Sequence, residues 1–83
     1  MTSAWFVYIV ECADKTLYTG ITTDVERRVS EHNSSKKGAK YTSKRRPVRL
    51  VYSEPAEDKS SASKREYAIK QLSRSEKLKL VGL

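Results

Sequence analysis

Apolar and polar residues alternate near the start of the chain in a pattern typical of paired β-strands. Trp5–Cys12 is a compact run of aromatic and β-branched residues, and its odd- and even-numbered positions form two apolar faces. The run therefore predicts a central strand that is covered on both sides. The turn-like residues Ala13–Thr16 separate it from a second short strand, Leu17–Ile21. Together these segments predict an antiparallel hairpin with a four-residue loop.

Local signals later in the chain predict three helices. Thr23–Glu26 and Ser73–Glu76 both match the capping box, in which a hydroxyl and a carboxylate each bond a backbone N–H at the helix start. The predicted helices run from Thr23 to about Asn33, from Asp58 or Ser60 to Leu72, and from Ser75 to Val81.

A third strand is predicted between the first two helices. In Val48–Ser53, the residues Val48, Leu50 and Tyr52 alternate with the others, and Pro55 is expected to end the strand. The order is therefore strand, strand, helix, strand, helix, helix. It predicts a small α/β (α+β) fold, an antiparallel-type sheet of three strands flanked by helices, in one domain over residues 1–83.

The charge of the chain favours a polyanionic partner. Lys and Arg outnumber Asp and Glu by 17 to 10, which gives a net charge of +7, and nucleic acid is the simplest such partner. The segment Ser34–Pro47 is strongly basic, and its Tyr41 could stack on an exposed base. The same segment could instead be a solvated tether. Its candidate phosphate contacts are Lys36, Lys37, Lys40, Lys44, Arg45 and Arg46.

Scarce cysteine and histidine exclude several classes of site. With Cys12 and His32 as the only residues of their kinds, neither an internal disulfide nor a zinc cluster of soft ligands can form. Cys12 ends an apolar run, so we expect a buried, inert thiol. No apolar stretch approaches the roughly 20 residues of a membrane span, and no secretory signal is evident. We expect a cytoplasmic protein with no membrane partner.

The first predicted helix places charged groups on its apolar stripe. At about 100° per residue, Val25, Arg28, Val29 and His32 share one face. A buried, unpaired guanidinium is costly, so Arg28 must meet a partner, line a cleft or extend along the stripe toward water. His32 could be functional, could complement the helix dipole, or could be a satisfied core histidine. An ordinary solvent-exposed ion pair is expected at Arg27–Glu31.

Several segments resemble the GIY-YIG nuclease superfamily, and its short, stand-alone, bacterial single-domain family in particular. The two half-motifs stand here as Phe6–Tyr8 and Tyr18–Gly20, nine residues apart, and Gly20 is a structural position of the motif. The helix with Glu26–His32 follows them. Three longer segments are similar to characteristic segments of that family: Leu17–Asp24, Gly38–Thr42 and Arg46–Tyr52.

The resemblance implies a role for each of five residues. Tyr8 and Tyr18 would position or deprotonate the attacking water, and Arg28 would stabilise negative charge on the scissile phosphate. His32 would lie near the nucleophile. Glu66 would be the family's single acidic ligand to a divalent metal, most simply Mg²⁺, with Mn²⁺ as an alternative. On its own, Glu66 would be read as an ordinary carboxylate on the flank of a helix.

The implied function is metal-dependent endonucleolytic hydrolysis of DNA, in DNA repair or on branched, damaged or single-stranded DNA. The alternatives are a nucleic-acid-binding module with little or no catalysis and a structural or RNA-associated basic protein. Either Tyr18 or His32 could be the general base. If His32 is the base, activity should rise between roughly pH 6 and 8.

The chain also departs from the family pattern. Phe6 replaces the first glycine, Thr19 takes the middle place of the second half-motif, and Ile21 stands where many relatives have lysine. Larger relatives have an asparagine beyond the glutamate, and none follows Glu66. These differences bear on rate and on whether catalysis is retained.

Overall fold

The predicted order of strands and helices is confirmed. A computed structural model describes residues 4–34, 42 and 44–82, and their elements follow in the order β-β-α-β-α-α. The strands and helices are β1 (Trp5–Glu11), β2 (Leu17–Thr22), α1 (Val25–Ser34), β3 (Arg49–Ala56), α2 (Lys59–Lys70) and α3 (Arg74–Val81).

The first strand lies in the middle of an antiparallel sheet. The strand order is β2-β1-β3, and both neighbours run antiparallel to β1. Val7 and Ile9 pack with Ala62 and Ile69 of α2 on one face. On the other face, β1 packs against the half-buried valines of α1. The helices α1 and α2 therefore lie on opposite sides of the sheet, and each covers one of the two apolar faces of β1. The buried members of the α1 side are Tyr8, Val10, Cys12 and Val48.

The third strand differs from its prediction in two ways. It continues through Pro55, which pairs with Phe6, because β3 is an edge strand and an edge tolerates a residue without an N–H. A β-bulge also breaks the expected alternation: Ile9 pairs with Tyr52 and Val10 with Leu50, so Val51 is an additional residue. As a result, Leu50 and Tyr52 lie on opposite faces rather than on one.

The predicted capping residues are confirmed for α2 and α3 and are wrong for α1. The Asp58 carboxylate accepts a hydrogen bond from the N–H of Ser61 at 2.7 Å, and both bonds of the Ser73–Glu76 capping box are present. For α1 the predicted Thr23 box is wrong. The Asp24 carboxylate accepts from the N–H of Arg27 at 3.1 Å instead, because a carboxylate one residue later already satisfies that end of the helix.

The remaining differences are small. The second helix ends at Lys70, not at Leu72, and Gln71 closes it. The thiol of Cys12 is buried as expected, and burial raises its pKa. Among the helices of residues 4–34 and 44–82, none has the length and apolar character to cross a membrane.

Candidate active site

Tyr8 lies at the centre of the site, and Gly20 makes room for it. The two residues are paired across β1 and β2. A Cβ atom added to Gly20 would lie 2.5 Å from the Tyr8 hydroxyl oxygen and 2.7 Å from the ring carbon Cζ, so the phenol crosses directly over the glycine. The structural role expected for Gly20 therefore has a steric basis. Tyr8 is only 1% exposed, although it carries a hydroxyl group.

The hydroxyl of Tyr8 is hydrogen-bonded to the single histidine of the chain. His32 reaches the sheet from the last turn of α1, and its Nε2 lies 2.7 Å from the Tyr8 oxygen. Its Nδ1 lies 2.7 Å from Oγ1 of Thr42. His32 and Thr42 are both 0% exposed. A buried chain of three polar groups, Tyr8–His32–Thr42, therefore leaves neither ring nitrogen of His32 facing solvent.

Thr42 is the site residue that sequence reasoning missed. It belongs to Gly38–Thr42, a segment that resembles the family, but the candidate binding residues predicted there are Lys40 and Tyr41. No local periodicity connects Thr42 with His32, ten positions earlier. The family segment was the only signal that could have found it.

The half-buried guanidinium of Arg28 has two partners near the phenol. Its Nη1 lies 3.1 Å from a carboxylate oxygen of Glu31, and it also donates a hydrogen bond to Tyr8. Of the alternatives for Arg28, meeting a partner is therefore the observed one. The expected Arg27–Glu31 pair is wrong, because Glu31 turns toward Arg28 instead. A fixed positive charge is thus held beside the phenol.

Tyr18 contacts the same histidine from the edge strand. Its ring meets the His32 ring edge-on, with centroids 5.2 Å apart and an interplanar angle of 67°. Tyr18 is half-buried, so it is more accessible than Tyr8. The Nζ atom of Lys70 lies 6.0 Å from the centroid of the Tyr18 ring, which is within the range of a cation–π contact. Tyr18 therefore connects the phenol–imidazole chain to the helix that carries Glu66.

Glu66 approaches the site from α2. Its half-buried carboxylate lies 3.3 Å from Nζ of Lys70, one helical turn later. Its negative charge is close enough to contribute to the raised pKa of Tyr8. The described residues contain no group of three or more His, Cys, Asp or Glu side chains that could hold a metal ion. A lone carboxylate oxygen donor nevertheless suits Mg²⁺, which keeps most of its waters.

Burial keeps both members of the Tyr8–His32 pair uncharged. It raises the pKa of Tyr8 to about 12, a rise that the Arg28 hydrogen bond opposes and the charges of Tyr18 and Glu66 reinforce. Burial, together with the positive charge of Arg28, lowers the pKa of His32 to about 4. The expected rise in activity between pH 6 and 8 therefore does not follow from His32, which is already neutral throughout that range.

The basic segment is described only in part. Lys36, Lys37, Lys40 and Tyr41 lie outside the described residues. Lys44 is exposed, Nε of Arg45 lies 3.0 Å from a carboxylate oxygen of Asp14, and Nε of Arg46 donates to the backbone carbonyl of His32. Nucleic-acid binding by this segment stays a prediction.

Comparison with known proteins identifies a family model, sequence relatives and solved structures that are similar to this chain. A family model described as the GIY-YIG catalytic domain matches residues 4–79. UPF0213 protein DP2720 of Desulfotalea psychrophila is 70% identical over 78 residues, covering 94% of this chain and 71% of that protein. The solution NMR structure of UPF0213 protein BH0048 from Bacillus halodurans is 49% identical, with a TM-score of 0.61 over 95% of this chain and 83% of that one. The solution NMR structure of EF2693 from E. faecalis is 42% identical, with a TM-score of 0.65 over 98% of this chain and 85% of that one. Because the family model matches nearly the whole chain, and this relative and both structures are more than 40% identical to it, the chain belongs to the GIY-YIG family of nucleases.

Proposed function

We propose that this chain is a metal-dependent endonuclease that hydrolyses DNA phosphodiester bonds, in repair or in the processing of branched, damaged or single-stranded DNA. One observation carries the proposal: the phenol of Tyr8, on β1, lies close to three other candidate residues. These are Tyr18 on β2 and Arg28 and His32 on α1. Family membership supplies the reaction class. The net charge of +7 suits a polyanionic substrate.

Arg28 is the group best suited to stabilise the transition state. Attack on a phosphodiester adds negative charge to the phosphoryl oxygens, and a preorganised cation in a partly buried site stabilises that charge strongly. The guanidinium is held by Glu31 and Tyr8 and cannot lose its proton. It therefore meets the substrate with its orientation already fixed.

Two routes are available for the proton of the attacking water. Tyr18 is half-buried and can reach a water at the mouth of the site. His32 is fully buried with both nitrogens bonded, so a proton from the attacking water would reach its Nε2 through the hydroxyl of Tyr8. The buried pair Tyr8–His32 is thus a proton relay rather than a direct base.

Glu66 is the residue that would hold a divalent cation. Such an ion, when bound, would screen the phosphate and stabilise the departing oxygen. The carboxylate would exchange its contact with Lys70 for the ion.

Cleavage of labelled branched, gapped and single-stranded DNA in the presence of Mg²⁺ tests the proposal. We expect the purified protein to cleave at least one of these substrates, and Arg28→Ala to lower kcat/KM by about 10²–10³-fold. Arg27→Ala is the matched control, since it removes the same charge from the exposed neighbouring position, and it should lower kcat/KM only slightly.

The alternative function has a distinct outcome. If the wild-type protein binds these DNAs but cleaves none of them with Mg²⁺ or Mn²⁺, and if Arg28→Ala binds equally well, the chain is a nucleic-acid-binding module. Loss of cleavage in Glu66→Gln without loss of DNA binding would support the role of the carboxylate.

A further inference from the structure

The direction of the hydrogen bonds in the buried chain follows from what each group can donate. Tyr8 is 1% exposed and its bond to His32 is buried, so the proton of its hydroxyl needs an acceptor within the protein. Its partners are the guanidinium of Arg28 and Nε2 of His32. A guanidinium has no acceptor atom. The O–H of Tyr8 therefore donates to Nε2 of His32.

This direction settles where the proton of the imidazole is. An Nε2 that accepts a hydrogen bond carries no hydrogen, so in a neutral imidazole the hydrogen is on Nδ1. That N–H points at Oγ1 of Thr42, 2.7 Å away in a region that excludes solvent. The Tyr8 contact therefore determines the tautomer, and in that tautomer Oγ1 of Thr42 is the acceptor for the Nδ1–H.

We propose that Thr42 is a positioning residue: its hydroxyl oxygen accepts the Nδ1–H of His32 and holds the ring in the tautomer whose Nε2 accepts the proton of Tyr8. The consequence for catalysis rests on the proposed function. Without an acceptor at residue 42, the buried Nδ1–H would be unsatisfied, and the ring would turn or change tautomer. Either change leaves the hydroxyl of Tyr8 without its acceptor.

The single histidine makes the proposal directly measurable. Nitrogen-15 NMR of the imidazole distinguishes the two tautomers, and every histidine signal of this chain comes from His32. We expect the wild-type protein at neutral pH to show hydrogen on Nδ1 and none on Nε2. Thr42→Val keeps the shape but removes the hydroxyl and should change this pattern. Thr42→Ser keeps the hydroxyl and should restore it.

Cleavage gives a second, separable readout. Thr42→Val should lower kcat/KM by about 10–100-fold, because displacement of a catalytic group by about 1 Å can cost that much, and Thr42→Ser should recover most of it. If the tautomer responds as expected but the wild-type protein cleaves nothing, the proposed function fails and the assignment of Thr42 stands.

Two outcomes overturn the assignment. One is hydrogen on Nε2 in the wild-type protein, a measurement that needs no variant and so does not depend on the folding of Thr42→Val. The other is a Thr42→Val protein that unfolds at the wild-type temperature and keeps the wild-type tautomer.

Discussion

At the scale of single residues, the site depends on close contacts around Tyr8. Tyr8 has three close neighbours: Gly20 lies under its ring, His32 is hydrogen-bonded to its hydroxyl, and Arg28 donates to the same oxygen. Helical periodicity in the sequence was sufficient to place Arg28 and His32 together, because positions four apart share a face. It could not place Thr42, because no local rule connects a helix to a residue beyond its end.

The contact at Gly20 gives a sharp prediction. In Gly20→Ala the new methyl group would lie 2.5–2.9 Å from the hydroxyl oxygen and two ring carbons of Tyr8, which is paired with residue 20 across β1 and β2. We expect a loss of about 1–3 kcal/mol in the free energy of unfolding and a fall in kcat/KM of at least tenfold, measured by denaturant unfolding and DNA cleavage.

Gly82→Ala is the control for this change. Gly82 has φ +78° at the end of α3, and an added Cβ would have nothing within 4 Å. The substitution should therefore cost about 1 kcal/mol of stability, because of the backbone conformation, and leave cleavage unchanged. A Gly20→Ala protein as stable and active as Gly82→Ala would contradict the steric argument.

At the scale of elements, the sequence predicted the types and the order of the strands and helices better than the residues at which they begin and end. The ends depend on competition between neighbouring groups, as between Thr23 and Asp24 for the start of α1. The course of β3 through Pro55 depended on its being an edge strand. The stripe of α2 was clearer, because Ala62 and Ile69 bury its inner side and leave Glu66 on the flank. Glu66 and Lys70 lie on this flank, which faces the site.

The ion pair on α2 predicts competition with metal. Lys70 lies beside the carboxylate that would bind a divalent cation, so Lys70→Ala should tighten Mn²⁺ binding, measured by calorimetry. The gain should reach up to about fivefold, because exposed ion pairs are worth about 0–1 kcal/mol. Lys64→Ala, the same change at an exposed position of the same helix, should have less effect. Equal affinities of both variants and of Glu66→Gln would exclude Glu66 as the ligand.

At the scale of the whole molecule, the buried site makes stability depend on pH. His32 has its ordinary pKa of 6.5 in the unfolded chain and about 4 in the folded protein. The unfolded chain therefore binds this proton more readily, and protonation favours unfolding. The contribution of His32 is fully present above about pH 6.5 and is lost as the pH falls toward 4.

Unfolding by denaturant across this range measures the effect. We expect the free energy of unfolding to fall by about 3 kcal/mol between pH 7 and pH 4, from a pKa difference of about 2.5. Asp58→Asn is a useful comparison: the pKa of this helix-capping carboxyl is lowered by its hydrogen bonds to Ser61, so the substitution should not alter the slope between pH 6.5 and 4.5. A flat profile over that interval would show that His32 is not buried in the neutral form.

The bulge at Val51 determines where β3 can lose a residue without changing which side chains face the core. Val51 is the residue without a partner on β1, between the pairs Ile9–Tyr52 and Val10–Leu50. A chain lacking Val51 would keep every other residue of the strand on its present side of the sheet. Deleting a residue farther along β3 would exchange the inward and outward sides of the residues between the deletion and the bulge. Deletion of one residue should therefore be tolerated better at Val51 than near either end of β3.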